Sequence, residues 1–158
     1  MSIDNTKIER QLTVLLRKSV RIHLSTQSGD VSLERSAYGI MCQLADEGPQ
    51  RLGALAAAFG LDPSTITRQV RDLENAGLAY RQTDPSDRRA SVLDLTPCGR
   101  EMLRQSREHR RSKISEALSN WTSRDLNDFG RLLQEFNSSM DRLGAVGVLL
   151  MTNSFVFG

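Results

Sequence analysis

Within eight residues the chain carries Ser64, Thr65, Thr67, Arg68, Gln69 and Arg71. Hydroxyls donate to and accept from phosphates and base edges, and a guanidinium offers a planar fork that fits a phosphate or the O6 and N7 of guanine. A second cationic cluster lies in Asp84-Pro85-Ser86-Asp87-Arg88-Arg89. Consecutive guanidiniums at a turn can enter a minor groove, where narrow A·T tracts concentrate negative potential. Asp87 is placed to hold one of them by a carboxylate bond. The plain alternatives are a surface helix with a polar start and a solvated turn with a local ion pair.

Other chemistries find little footing. Cys42 and Cys98 are far apart, with no Cys-x-x-Cys and no neighbouring histidine, so neither a zinc site nor any other metal site is expected. Small apolar fillers in a reducing compartment are one reading of both, and a redox switch is the other. No motif links His23 or His109 to a nucleophile, and no glycine-rich phosphate loop or carboxylate pair stands at a suggestive spacing. No catalytic residue, enzyme activity or cofactor is expected.

The 158 residues suit one domain, or one domain with an appendage, and 39% hydrophobic with 25% charged residues is ordinary globular usage. Aromatics are only 5%, so the core must be aliphatic. The sequence holds no run of ~20 apolar residues and no leader-like N-terminus, which points to a cytoplasmic protein without a membrane partner. Three lysines among 21 basic residues leave 18 arginines, a bias that codon preference would also produce. Net charge is +2, but residues 33–96 are slightly acidic. If that region meets a polyanion, local placement must do the work.

The elements that position the two clusters follow from spacing. Residues 4–26 place Ile8, Leu12, Leu15, Val20 and Ile22 near a helical period, closed by a loop at Ser28-Gly29-Asp30. Ser32 is a candidate N-cap for a second helix, which stops at Gly48-Pro49. A short small-residue helix ends at Gly60. Asp62 caps the next helix, Pro63 opens it and Gly77 turns the chain out of it. Ile66, Val70 and Leu73 fall at i, i+4 and i+7, so the opposite face carries Ser64, Arg68, Arg71 and Asn75. Leu78–Thr83 and Ala90–Leu95 alternate as two strands joined by the polar connector. Thr96-Pro97 opens a helix to about Ser119, with Met102, Leu103, Ile114 and Leu118 as apolar contacts and Arg104, Arg107, Arg110, Arg111 and Lys113 as a solvated flank. Thr122 or Ser123 caps a last helix bearing Leu126, Phe129, Leu132, Leu133, Phe136, Met140 and Leu143. The fold class is mainly α with a small β-hairpin wing, a winged helix-turn-helix.

From about Leu33 to Gly99 the sequence resembles the MarR family of bacterial transcriptional regulators. LGALAAAFGLDPSTITRQVRDLENAGLAYRQ is similar to the family's helix-turn-helix. DPSDRRASVLDLTPCGR carries its wing signature: Asp87, Arg89, then a strand closing on Leu95 and Thr96. The resemblance implies a homodimer intertwined through its first, fifth and sixth helices. It divides the chain into an N-terminal dimerisation helix (1–32), a winged DNA-binding domain (33–96), C-terminal dimerisation helices (97–143) and an apolar tail (144–158). It implies a repressor reading a pseudo-palindromic operator in double-stranded DNA and released by a small lipophilic or phenolic effector. Ser64, Thr65, Thr67 and Arg68, with Gln69 and Arg71 beside them, would read the major groove; Asp87, Arg88 and Arg89 would form the minor-groove element. His23 and Tyr38 are the polar-aromatic residues nearest the effector crevice. A winged-helix module used for protein or RNA contacts, without operator recognition, is the rival.

Two departures stand out. Peroxide-sensing members place a cysteine in the first helix, and this chain has none there; Cys98, just after the wing, looks like a filler. Ala145–Gly158 has no charged residue and extends past the usual last helix. Its large apolar residues could pack on a partner subunit, cover the effector cavity, or be peculiar to this chain.

Overall fold

The structure is a computed structural model that describes residues 5–25 and 35–153, with side chains over 5–18 and 37–144. The order is α1 (Thr6–Ser25), α2 (Arg35–Glu47), α3 (Leu52–Phe59), α4 (Pro63–Asn75), β1 (Ala79–Asp84), β2 (Asp87–Leu95), α5 (Pro97–Ala117) and α6 (Ser123–Asn153). This is the sequence of helices and hairpin expected. The expected Ser28-Gly29-Asp30 loop, the Ser32 cap and the side chains of His23 and residues 145–158 lie outside the described residues.

The chain forms two compact units, Met1–Ile114 and Ser115–Gly158. In the first, Ile40, Met41 and Leu44 of α2 meet Leu55 of α3, Ile66, Val70 and Leu73 of α4, Leu93 and Leu95 of β2 and Leu103 of α5, all buried. At roughly 1.5–3 kcal/mol per buried aliphatic side chain, this cluster is the main force fixing α4 against the hairpin. Glycine in the left-handed region ends three segments: Gly48 after α2, Gly60 as the C-cap of α3 and Gly77 after α4. Thr96 caps α5, accepting from the Gly99 N–H at 3.0 Å while its own hydroxyl donates to the Gly77 carbonyl at 2.6 Å. Gly99 permits this approach, because a Cβ there would fall 2.0 Å from the Leu78 carbonyl oxygen.

Several expectations need correction. The connector is not six residues of turn. Only Pro85 and Ser86 lie outside the strands, and β2 starts at Asp87. The far end of β2 does not alternate either: Val92, Leu93, Asp94 and Leu95 are all buried. One reason is a backbone bridge, in which Gln50 and Leu93 exchange N–H···O bonds of 3.1 and 2.8 Å. Ile114 is exposed instead of an apolar contact. The α5 flank is not simply solvated, since Arg107 binds Asp46 of α2 at 2.8 Å and the Arg110 guanidinium lies 5.1 Å from the centre of the Tyr38 ring. Cys98 is exposed, so it fills nothing; Cys42 is half-buried.

The second unit is built differently. Thr122 is the α6 cap, exchanging bonds with Asp125: the Asp125 N–H donates to Thr122 Oγ1 at 3.1 Å, and the Thr122 hydroxyl donates to the Asp125 carboxylate at 2.6 Å. Trp121 and Phe129 meet edge to face at 5.3 Å. Leu126, Phe129, Leu132, Leu133, Met140 and Leu143 are all exposed, with only Phe136 half-buried between them.

Candidate nucleic-acid interface

Helix α4 begins where Asp62, in an extended conformation, accepts from the N–H groups of Ser64 and Thr65 at 3.1 and 3.2 Å. Its carboxylate also takes the Ser64 hydroxyl, and the Thr65 hydroxyl at 2.8 Å. Those hydroxyl bonds, Ser64's first, hold the Asp62 pKa at about 2. Thr67 donates to the Pro63 carbonyl at 2.7 Å. All three hydroxyl protons are therefore engaged at the start of the helix, which leaves the oxygens as acceptors.

The wheel places the remaining residues as expected. Ile66, Val70 and Leu73 are buried, while Ser64, Arg68, Arg71 and Asn75 are exposed. Gln69 departs from this pattern: it is half-buried, and its Oε1 is buried without a hydrogen-bond partner.

The wing is an antiparallel pair running from Ala79↔Leu95 to Thr83↔Ser91, after which the register jumps to Asp84↔Asp87. Arg88, Arg89 and Ala90 thus have no residue opposite them and form a bulge at the tip. Asp84 shapes the turn by accepting from the Ser86 N–H and hydroxyl at 2.8 and 2.7 Å. Asp87 does not hold either neighbouring guanidinium, contrary to expectation. Its Oδ1 accepts from the backbone N–H of Arg89 at 3.0 Å, and its Oδ2 lies 3.6 Å from Arg51. Its two oxygens are taken instead by the Arg89 backbone and by Arg51. Arg51 was invisible to sequence reasoning. Its only signals were a cation immediately before α3 and two aspartates flanking Pro85-Ser86.

The described arginines of residues 37–96, with Arg100 and Arg107 of α5 that reach into this region, sort into two sets. Arg51 binds Asp84, Arg81 binds Glu74, Arg100 binds Asp94 and Arg107 binds Asp46, at closest distances of 2.7–3.0 Å. Four acids of the slightly acidic middle region are thereby neutralised within the fold, two of them by arginines from α5. Arg68 and Arg71 on α4, and Arg88 and Arg89 on the wing, are exposed and have no ion-pair partner among the described residues.

A family model described as "MarR family" matches residues 33–91, which run from before α2 to the middle of β2. The chain is 37% identical over 132 residues to the uncharacterized HTH-type transcriptional regulator YxaD of Bacillus subtilis, covering 84% of this chain and 92% of that one. The chain belongs to the MarR family. It is 32% identical over 106 residues to the HTH-type transcriptional repressor NicR of Pseudomonas putida, covering 64% of this chain and 67% of the relative. Among solved structures, RV1404 of Mycobacterium tuberculosis is similar with a TM-score of 0.74 and 26% identity, over 89% of this chain and 97% of the other. This MarR-family chain is accordingly a helix-turn-helix transcriptional regulator that binds DNA, with α4 in the recognition-helix position and β1–β2 as the wing.

Of the two residues expected near an effector, only Tyr38 has a described side chain. It is half-buried against the core, and burial, then the neighbouring Cys42 thiol, raises its pKa above the usual phenol value. The bond to Asp46 raises the pKa of Arg107. No helix among the described residues is long and apolar enough to cross a membrane.

Proposed function

We propose that the chain works in the cytoplasm as a homodimeric repressor, reading a pseudo-palindromic operator and released by a small lipophilic or phenolic effector. The observation that carries this reading is the sorting of the arginines. Between residues 37 and 96, Arg51 and Arg81 are paired with carboxylates, whereas Arg68, Arg71, Arg88 and Arg89 have none and are exposed on α4 and the wing. Phosphates and base edges are the anionic and acceptor groups such a face fits.

In this reading α4 lies in the major groove with Ser64, Thr65, Thr67, Arg68, Gln69 and Arg71, while Asp87, Arg88 and Arg89 form the minor-groove element. Because Asp62 holds the Ser64 and Thr65 protons, these hydroxyls present lone pairs. They suit the exocyclic amino groups of adenine or cytosine better than phosphate oxygens. Dimerisation is supported by the exposed α6 stripe, whose 3-and-4 spacing is that of a seam between helices, and a two-fold pair is the commonest closed arrangement. Repression is supported by the likeness to NicR. In this reading the effector lies beside Tyr38, where the Arg110 guanidinium and the aromatic ring suit a flat phenolic ligand; His23 is the second residue assigned there.

The test is affinity for the DNA upstream of the chain's own gene against a random duplex, measured from 50 to 200 mM salt. A specific complex whose log affinity falls linearly with log salt is expected. Arg68→Ala should lower the ratio of specific to random binding, since a bidentate arginine–guanine pair discriminates by ~1–3 kcal/mol. Binding that ignores salt would favour a protein-contact module and sink the operator reading.

A further inference from the structure

The base and the tip of the wing are held in different ways. At the base, Leu78, Ala79, Leu93 and Leu95 enter the core, and Gln50 bonds to Leu93. Towards the tip, Tyr80, Arg81 and Thr83 of β1 and Arg88, Arg89 and Ser91 of β2 are exposed. There an open cleft of about 570 Å³, lined by Glu47, Gln50, Ala54, Gln82, Pro85 and Val92 among others, lies between the wing and the α2–α3 junction. One side chain crosses it. Arg51, the N-cap residue of α3, makes no side-chain cap to its own helix. Instead its Nε and one terminal nitrogen both reach Asp84 Oδ2 at 2.7 Å.

Asp84 and Asp87 are register partners across the turn, and like charges directly opposite each other on a hairpin repel. Arg51 faces both carboxylates, at 2.7 and 3.6 Å. Asp84 uses its other oxygen to close the Ser86 turn, and Asp87 uses its other oxygen to hold the Arg89 N–H. A single guanidinium from the body of the domain thus fixes both acceptors that shape the tip.

We propose that Arg51 is a positioning residue for DNA reading: by drawing the Asp84 and Asp87 carboxylates together it sets the bulge from which Arg88 and Arg89 reach the minor groove. This rests on the wing-in-groove reading above. Replacement by lysine keeps the charge but not the fork, and alanine releases two facing carboxylates. In either case the tip loses its defined place while the core at the base is untouched.

Two measurements on the full chain test this. The first needs no DNA: amide hydrogen exchange at Ser86 and Arg89 in the free protein. Arg51→Ala should speed exchange at both by at least tenfold and leave the Leu93 amide unchanged. The second uses the tightest duplex that the wild-type chain selects from a random-sequence pool. Arg51→Ala and Arg89→Ala should each weaken binding by roughly tenfold, the double variant should be no weaker than the worse single one, and Arg51→Lys should not restore affinity. Unchanged exchange at Ser86 and Arg89 overturns the proposal outright. So do additive losses in the double variant or full rescue by lysine, because Arg51 would then be a direct phosphate contact. Faster exchange with undiminished DNA affinity in both single variants leaves the clamp standing but defeats the groove reading, and with it the assigned role.

Discussion

In Met1–Ile114 the large aliphatic side chains of α2, α3 and α4 are withdrawn from solvent, several to 0% exposure. In Ser115–Gly158 the residues of the same chemical kind stay open, with Leu132 at 52% and Leu143 at 64%. The difference is not one of composition or helical period, since both units carry apolar stripes at helical spacing. It lies in whether the chain itself supplies the opposite face. In the first unit a hairpin and four of the five helices, α2 to α5, close around a centre, while Ile8, Leu15 and Leu16 of α1 stay open like the α6 stripe. The second is mainly one long helix, and a lone stripe has nothing within its own unit to bury against. Reading function therefore takes different questions in the two places: which polar groups are left over in the first, and which apolar groups in the second.

The largest effect should come from the open stripe. Phe129→Asp with Leu132→Asp is expected to leave a monomer near the chain mass of 17.6 kDa in light scattering. At ~1.5–3 kcal/mol per apolar side chain, the two sites in each of two protomers would forfeit about 6–12 kcal/mol of association. A doubly substituted chain that still scatters as a dimer would remove the contrast between the units. Next comes one chemical change made in both. Leu55→Ala should cost ~2–5 kcal/mol in the closed core, independent of protein concentration. Leu133→Ala should shift the melting temperature in a way that depends on concentration, as mass action requires of an interface.

Smaller effects sharpen the polar side. Folding holds both Asp62 and Asp84 at about pKa 2, below the 3.8 of a free aspartate. Their depressed values mean that the folded chain favours the ionised forms. The stabilisation is complete above about pH 4 and is lost as pH falls towards 2. Thermal melts across that window should show the decline, and Asp84→Asn should make it shallower. Asp62→Ala should lower the melting temperature slightly, as a lost N-cap. The smallest change belongs to α6: Arg131→Ala breaks only exposed pairs with Asp128 and Glu135 and should stay within ~0.5 kcal/mol in denaturant melts.

What could be read from the sequence was local. Asp62-Pro63, Gly77 and Thr96-Pro97 each carry their geometry in one to three residues, and the structure agrees at all three. The buried and exposed faces of α4 were equally legible, because helical period alone separates Ile66 from Arg68. What escaped was pairing at a distance. Arg51 and Asp84 are 33 residues apart and Arg107 and Asp46 are 61 apart, so no spacing rule could distinguish these guanidiniums from the exposed ones. The turn was misjudged for a related reason. Its length is set by the Asp84 carboxylate bonding Ser86, a choice that depends on the conformation already adopted.

The tip bulge separates two properties that a plain hairpin ties together. Between Ala79↔Leu95 and Thr83↔Ser91 the ladder is regular, so side chains there keep their inward or outward facing whatever happens beyond Ser91. The three unmatched residues sit wholly on one strand. Adding or removing a residue among them changes the span of the arm by up to ~3.3 Å without sliding any pair below. The hairpin is in this sense a fixed shaft with an adjustable point, whose length indels at one place alone would change.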